Sequence, residues 1–276
     1  MNLNTVSAFR QPSSADDIPA WRDGYAWLAG GTWLFSTPQI GTHTLIDLTT
    51  LNWPSLRIDA DGLEIAATCT LTELTSFQAP DAWKAAPLFK MCCNSLLASF
   101  KIWNAATVGG NICMSLPAGS MISLTTALEA TYTLWPRDGA PRKVSSLDFV
   151  TGNHRNVLQP GELLRSLHIP VRALSKCFAF RRASLTHWGR SAIIIIGTQN
   201  PATRDLVLTV TAATARPYQI RFDRIPDERT LRDAILAGIP EAEYFEDVHG
   251  SARYKRHLTY YFAEQVRAEL QERESP

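Results

Sequence analysis

The stretch Thr107–Ser120, TVGGNICMSLPAGS, sets a glycine pair, an amide and a Pro-Ala-Gly turn close together, just ahead of a run that reads as a helix from Met121 to Ala130. A second glycine pair, Gly30-Gly31, lies in YAWLAGGTWLFS, Tyr25–Ser36. A glycine pair after a strand has two physical uses. It can turn the chain through positive φ, or it can let backbone N–H groups approach a phosphate closely. Each pair here stands beside a hydroxyl (Thr32, Thr107), and one also stands beside the amide of Asn111. Two such loops could wrap a diphosphate from two sides. Neither is G-x-G-x-x-G, so a Rossmann turn is not the match, and neither runs into Gly-Lys-Ser/Thr as a P-loop would.

The remaining composition narrows the classes. The chain has 276 residues, 45% of them hydrophobic, enough for one large core or two modest ones, with a soft prior of about two domains. A net charge of +1 and the absence of a basic stripe argue against nucleic acid as a partner. The longest apolar run, AIIIIG at Ala192–Gly197, is far short of the roughly 20 residues that cross a bilayer, so no membrane partner is expected. The N-terminus lacks the charged start and apolar core of a signal peptide. Cys69, Cys92, Cys93, Cys113 and Cys177 are odd in number and form no C-x-x-C; a disulfide framework is not expected, and a reducing cytoplasm fits. Cys92 and Cys93 read as core packing on a helix. His43, His154, His168, His187, His249 and His257 lack metal-ligand spacing, so no metal site is predicted. With no G-x-S-x-G elbow either, no catalytic residue is assigned to this chain.

The pattern predicts strands at Tyr25–Ala29 and His43–Leu51, and a hairpin over Leu56–Thr68 turning at Asp61-Gly62. Thr70 and Glu73 form a capping-box signature, and Pro87 opens a helix to Phe100. Thr131–Trp135 returns as a strand. After a boundary at His168–Lys176 come strands at Lys176–Ser184, Ser191–Asn200 and Asp205–Phe222. Two helices follow, one from Asp227 or Glu228 to Ala237 and one from Ser251 to Glu272. On the last, Tyr254, Leu258, Tyr261, Phe262, Val266 and Leu270 are expected to dock onto the strands.

These residues carry a resemblance. AGGTWL (Ala29–Leu34) and NAATVGGNICMSLPAGS (Asn104–Ser120) resemble the two FAD-binding loops of the flavoprotein (medium) subunit of molybdenum hydroxylases, the family of xanthine dehydrogenase and aerobic carbon monoxide dehydrogenase. FVTGNHRNVLQPGELLRSLHIP (Phe149–Pro170) resembles its T-G-x-x-x-x-x-L-x-x-x-E-L-L segment. FAFRRAS (Phe178–Ser184) resembles its basic F-x-K motif, and GSARYKRHLTYYFAEQV (Gly250–Val266) its closing helix.

The resemblance implies an α+β fold: an FAD-binding domain of the vanillyl-alcohol-oxidase (PCMH) type over 1–172, then a smaller α+β domain of the CO dehydrogenase flavoprotein C-terminal type over 173–276. It implies non-covalent FAD held by Leu28, Ala29, Gly30, Gly31, Thr32, Trp33 and Leu34, and by Thr107, Val108, Gly109, Gly110, Asn111 and Ser120. Leu164 matches a leucine on the adenine side. Arg181, or Arg182 with a one-residue slip, matches a lysine near the flavin ring, where a cation favours the reduced ring's charge. Trp33 stands where the family often has Asp, and Ser120 where it usually has Asp. A serine is shorter and uncharged, and Arg for Lys keeps charge but not geometry. The implied setting is a cytoplasmic heterotrimer. A large molybdopterin-binding subunit oxidises substrate, a small subunit with two [2Fe–2S] clusters relays electrons, and this chain passes them to an acceptor such as NAD+. The alternatives are a stand-alone FAD-dependent oxidoreductase and a flavin-free scaffold.

Overall fold

The computed structural model describes residues 3–96, 98–136, 138–186 and 189–273. Its first half is built on two sheets. A small parallel sheet, ordered β1-β3-β2, joins β1 (Ala8–Arg10), β2 (Tyr25–Leu28) and β3 (Thr44–Asp47). An antiparallel sheet ordered β4-β5-β10-β6-β7 joins β4 (Leu56–Ile58), β5 (Gly62–Ala66), β6 (Thr131–Trp135), β7 (Arg142–Ser145) and β10 (Leu163–Pro170). Five helices lie between β5 and β6: α1 (Leu71–Ser76), α2 (Pro87–Asn94), α3 (Phe100–Ala105), α4 (Val108–Cys113) and α5 (Ser120–Ala127). A single turn of helix, α6 (Ser146–Phe149), and the pair β8 (Val150–Gly152) and β9 (Arg155–Asn156) precede β10; α7 (Val171–Leu174) follows it. The second half is an antiparallel sheet in sequence order, β11 (Cys177–Ser184), β12 (Ser191–Gln199), β13 (Leu206–Thr211) and β14 (Tyr218–Phe222), backed by α8 (Glu228–Gly238) and α9 (Ala252–Glu272). The fold is α+β, as expected.

The isoleucine run explains how the halves join. Every residue of β12 is buried. Side chains alternate across a strand, so Ile194 and Ile196 enter the first core with α2 and α5, while Ile193 and Ile195 enter a second core with α8 and α9. An unbroken apolar run is what a strand covered on both faces requires. Helix α5 is its counterpart: all eight of its residues are buried. Two of its hydroxyls are satisfied locally or across the seam, whereas those of Ser120 and Thr126 have no partner among the described residues. Thr125 Oγ1 donates to the Met121 carbonyl at 2.6 Å, and Ser123 Oγ lies 2.7 Å from Thr211 Oγ1 on β13. Nearby, Glu129 bridges Lys176 Nζ (2.8 Å) and Arg221 Nη1 (2.7 Å). Burial disfavours the charged Glu129, but the two cations outweigh it and hold its carboxyl below its usual pKa.

Several elements match their sequence patterns. The β4–β5 hairpin turns with Asp59 Oδ1 accepting from Gly62 N at 2.9 Å, and the Thr70–Glu73 capping box is complete. Others depart from them. The strand expected over His43–Leu51 ends at Asp47, because the Asp47 carboxylate accepts from Thr49 N (2.9 Å) and starts a 3-10 turn, Leu48–Leu51. The helix expected to reach Phe100 stops at Asn94; Leu97 lies outside the described residues. The strand expected over Asp205–Phe222 is two strands. On α9, Leu258, Val266 and Leu270 are buried as expected, but Tyr254 and Tyr261 are 41% and 53% exposed. The buried stripe instead runs Lys255, Thr259, Ala263, Val266, Leu270, steps of four, four, three and four along one helix face. Lys255 enters the core because its Nζ meets Asp247 Oδ1 at 2.9 Å.

Candidate functional site

Both glycine pairs open onto one cavity of about 880 Å³, near the upper end of the roughly 300–1,000 Å³ usual for ligand sites. The first pair is a true turn at the end of β2. Gly31 has φ +67°, and a Cβ at Gly30 would run into the Ala105 carbonyl, so the two motifs touch through glycine. The amide N–H groups of Gly30, Gly31, Thr32, Trp33 and Leu34 make no hydrogen bond with any described residue. None of the five residues is buried, and all five line the cavity, so their amides are open to water or to a ligand.

The second pair is built differently. It lies in the first turn of α4, where Thr107 is the N-cap. Its donors are already engaged: Val108 N with the Cys69 carbonyl (2.8 Å), Gly109 N with the Ala67 carbonyl (2.9 Å), Gly110 N with Thr107 Oγ1 (3.0 Å) and Asn111 N with the Thr107 carbonyl (3.0 Å). Glycine at 109 is a packing requirement, since a Cβ there would strike Ala67. At Gly110 a Cβ would meet only Thr107 Oγ1, at 2.9 Å. Asn111 Oδ1 accepts from Met121 N at 2.9 Å and ties α4 to α5.

Leu28, Ala29, Gly30, Gly31, Thr32, Trp33, Leu34, Thr107, Gly109, Gly110, Asn111 and Leu164 all line the cavity. Trp33 is 43% exposed and its ring lies 5.8 Å from that of His154. Val108 and Ser120 sit outside the lining, fully buried, and Ser120 Oγ has no hydrogen-bond partner. The two arginines are also outside it. Arg181 shares the α9 face of β11 and binds Gln265 Oε1 (2.9 Å) and Glu269 Oε2 (2.7 Å). Alternation turns Arg182 to the other face, where it donates to Ser191 Oγ (2.7 Å) and the Gly189 carbonyl.

The sequence reading left out several lining residues, among them Trp27, Ser95, Leu96, Ala98, Glu162 and Arg190. Trp27 Nε1 donates to the Glu162 carbonyl at 3.2 Å. The Glu162 carboxylate takes a two-pronged contact from Arg142 (2.6 and 2.7 Å) and the N–H of Gln159 (3.0 Å). Arg142 holds its pKa below the usual carboxylate range. Glu162 was within reach of the sequence, inside the quoted E-L-L segment; Arg190 carried no local signal. Cys113 also lines the cavity, and burial pushes its thiol up to about 12. It is therefore neutral near pH 7 and no nucleophile.

The family model described as FAD binding domain in molybdopterin dehydrogenase matches residues 8–172. Xanthine dehydrogenase of Oryza sativa subsp. japonica is 28% identical over 122 residues, which is 42% of this chain and 9% of that protein. The carbon monoxide dehydrogenase medium chain of Afipia carboxidovorans is 33% identical over 87 residues, 32% of this chain and 30% of that one. The matched stretches thus span less than a third of either relative. The fold is shared with a crystal structure of Cu,Mo-CO dehydrogenase in its cyanide-inactivated form: TM-score 0.78, 20% identity, covering 95% of this chain and 99% of that one.

Proposed function

The chain belongs to the family of FAD-binding domains of molybdopterin dehydrogenases, and from this we propose that it is the flavin-holding subunit of a molybdenum hydroxylase complex. A large molybdopterin-binding partner would oxidise the substrate, a small [2Fe–2S] partner would pass electrons to this chain, and NAD+ or another acceptor would collect them. The observation that carries the FAD assignment is the row of five unengaged amides at Gly30–Leu34 along the cavity. Convergent backbone N–H groups form an anion-binding concavity, and a diphosphate is the part of FAD that needs one. Thr32 adds a hydroxyl beside them, and Gly110 leaves the opposite wall low. Glu162 adds no repulsion, being neutralised by Arg142. Bound FAD would supply the capacity to accept electrons singly and release them as a hydride; the chain's own residues hold it in place and exclude water.

The test is FAD occupancy of the purified chain, read from its absorbance, and of Gly110→Val. The variant adds bulk inside the cavity and should lose about tenfold or more in affinity, equivalent to roughly 1.4 kcal/mol, with an unchanged circular dichroism spectrum. Full occupancy in the variant would overturn the placement. Native mass of the complex should show the two partner chains; a monomer with full turnover would favour a stand-alone oxidoreductase instead.

A further inference from the structure

Among the described lining residues only Glu162 and Arg190 carry charge. Glu162 is committed to Arg142. Arg190 makes no hydrogen bond or ion pair with any described residue, whereas Arg181 and Arg182 on the preceding strand are both engaged. Its backbone is nevertheless fixed on both sides. Arg182 binds the Gly189 carbonyl and Ser191 Oγ, and Ser191 Oγ reaches the Ser95 carbonyl at 3.5 Å. The structure thus places a partly exposed, unengaged arginine at a largely apolar cavity whose one described lining carboxylate is already paired with Arg142. Water solvates such a group in the open cavity, and a ligand that displaces this water gains most if it brings the counter-charge.

We propose that Arg190, rather than Arg181 or Arg182, is the cation that pairs with the negative charge a flavin ring gains on reduction. This rests on the FAD reading above. Uptake of two electrons and one proton leaves the ring with one net negative charge, so a fixed cation beside it favours the reduced state. The ring is preferred over the diphosphate as the partner of Arg190 for two reasons. The diphosphate already has the amides of Gly30–Leu34 and the Thr32 hydroxyl on the first turn. Arg190 stands just before β12, whose first residue, Ser191, reaches the Ser95 carbonyl; the further lining residues of that segment, Leu96 and Ala98, are apolar and offer a surface for a flat ring.

The experiment is an equilibrium reductive titration of the FAD-loaded chain against a reference dye, for wild type, Arg190→Ala and Arg190→Lys, with ADP binding measured in parallel. Arg190→Ala should shift the two-electron equilibrium about tenfold against the reduced form, a potential roughly 30 mV more negative. Arg190→Lys should restore most of the shift. ADP, which has the diphosphate but no flavin ring, should bind all three forms equally. An unchanged potential in Arg190→Ala with FAD bound would overturn the proposal and leave the FAD reading intact. A loss of ADP affinity with no change in potential would overturn it too, by placing Arg190 on the phosphates. A wild-type chain that takes up no FAD would fail at the first step and remove both.

Discussion

The Ser120 hydroxyl is fully buried at the start of α5 and has no partner in the chain, yet the residues before it, Ala118 and Gly119, line the cavity. Buried hydroxyls without partners are rare enough to need a cause; because Ser120 lies behind the lining, its hydroxyl would meet a ribityl or ribose hydroxyl of the cofactor only if the Ala118–Gly119 turn shifts on binding. Ser120→Ala should therefore leave the melting temperature of the flavin-free chain within a degree or so, since no internal bond is lost. It should weaken FAD by about fivefold, near the 1 kcal/mol typical of one hydrogen bond. Calorimetric titration of both forms decides it: equal affinities would show that Ser120 serves packing alone. Single residues divide sharply in how legible they were. The Thr70–Glu73 cap is a local contract between neighbours and could be read directly. That Arg181 is drawn away from the cavity depends on α9 covering its face of β11, a fact written in residues more than eighty positions away.

The two glycine motifs look alike in sequence and differ in construction. The turn after β2 needs glycine for its backbone angle; α4 needs it for close packing on β5. Gly31→Ala should cost about 1–2 kcal/mol from the left-handed backbone alone, with a further penalty because the new methyl would crowd the Phe35 ring. The loss should be larger in the FAD-bound protein than in the flavin-free one, because the strained turn also carries the amide row. Thermal melts with and without FAD measure both; a loss identical in the two states would separate the turn from cofactor binding. Strands and long helices were legible here because period and caps mark them, as at the β4–β5 hairpin and α8. Helix α4 was not. Two glycines in its six residues argue against helix, and it forms because the Cys69 and Ala67 carbonyls and the Thr107 side chain receive its first amides.

The halves of the chain share a structural centre instead of meeting at a surface. That Ser191–Asn200 is a strand was legible in AIIIIG, and the α+β class in the family resemblance; that α5 would be the element lying against β12 and β13 was not, because α5 reads as an ordinary polar-flecked helix with serines and threonines. The enclosure of α5 has a bearing on how the protein is made. A ribosome releases residues 120–127 long before residues 191–211, so for that interval the helix has no lid. Until β12 and β13 emerge, the nascent chain presents Ser123 and the apolar side chains around it to the surroundings, a state open to chaperones and to self-association. A chain stopped at residue 172 would be fixed in that interval permanently. It should bind the hydrophobic dye ANS and form oligomers on a sizing column, where the full chain does neither; a monomeric, dye-silent fragment would mean that the first half closes over α5 by itself.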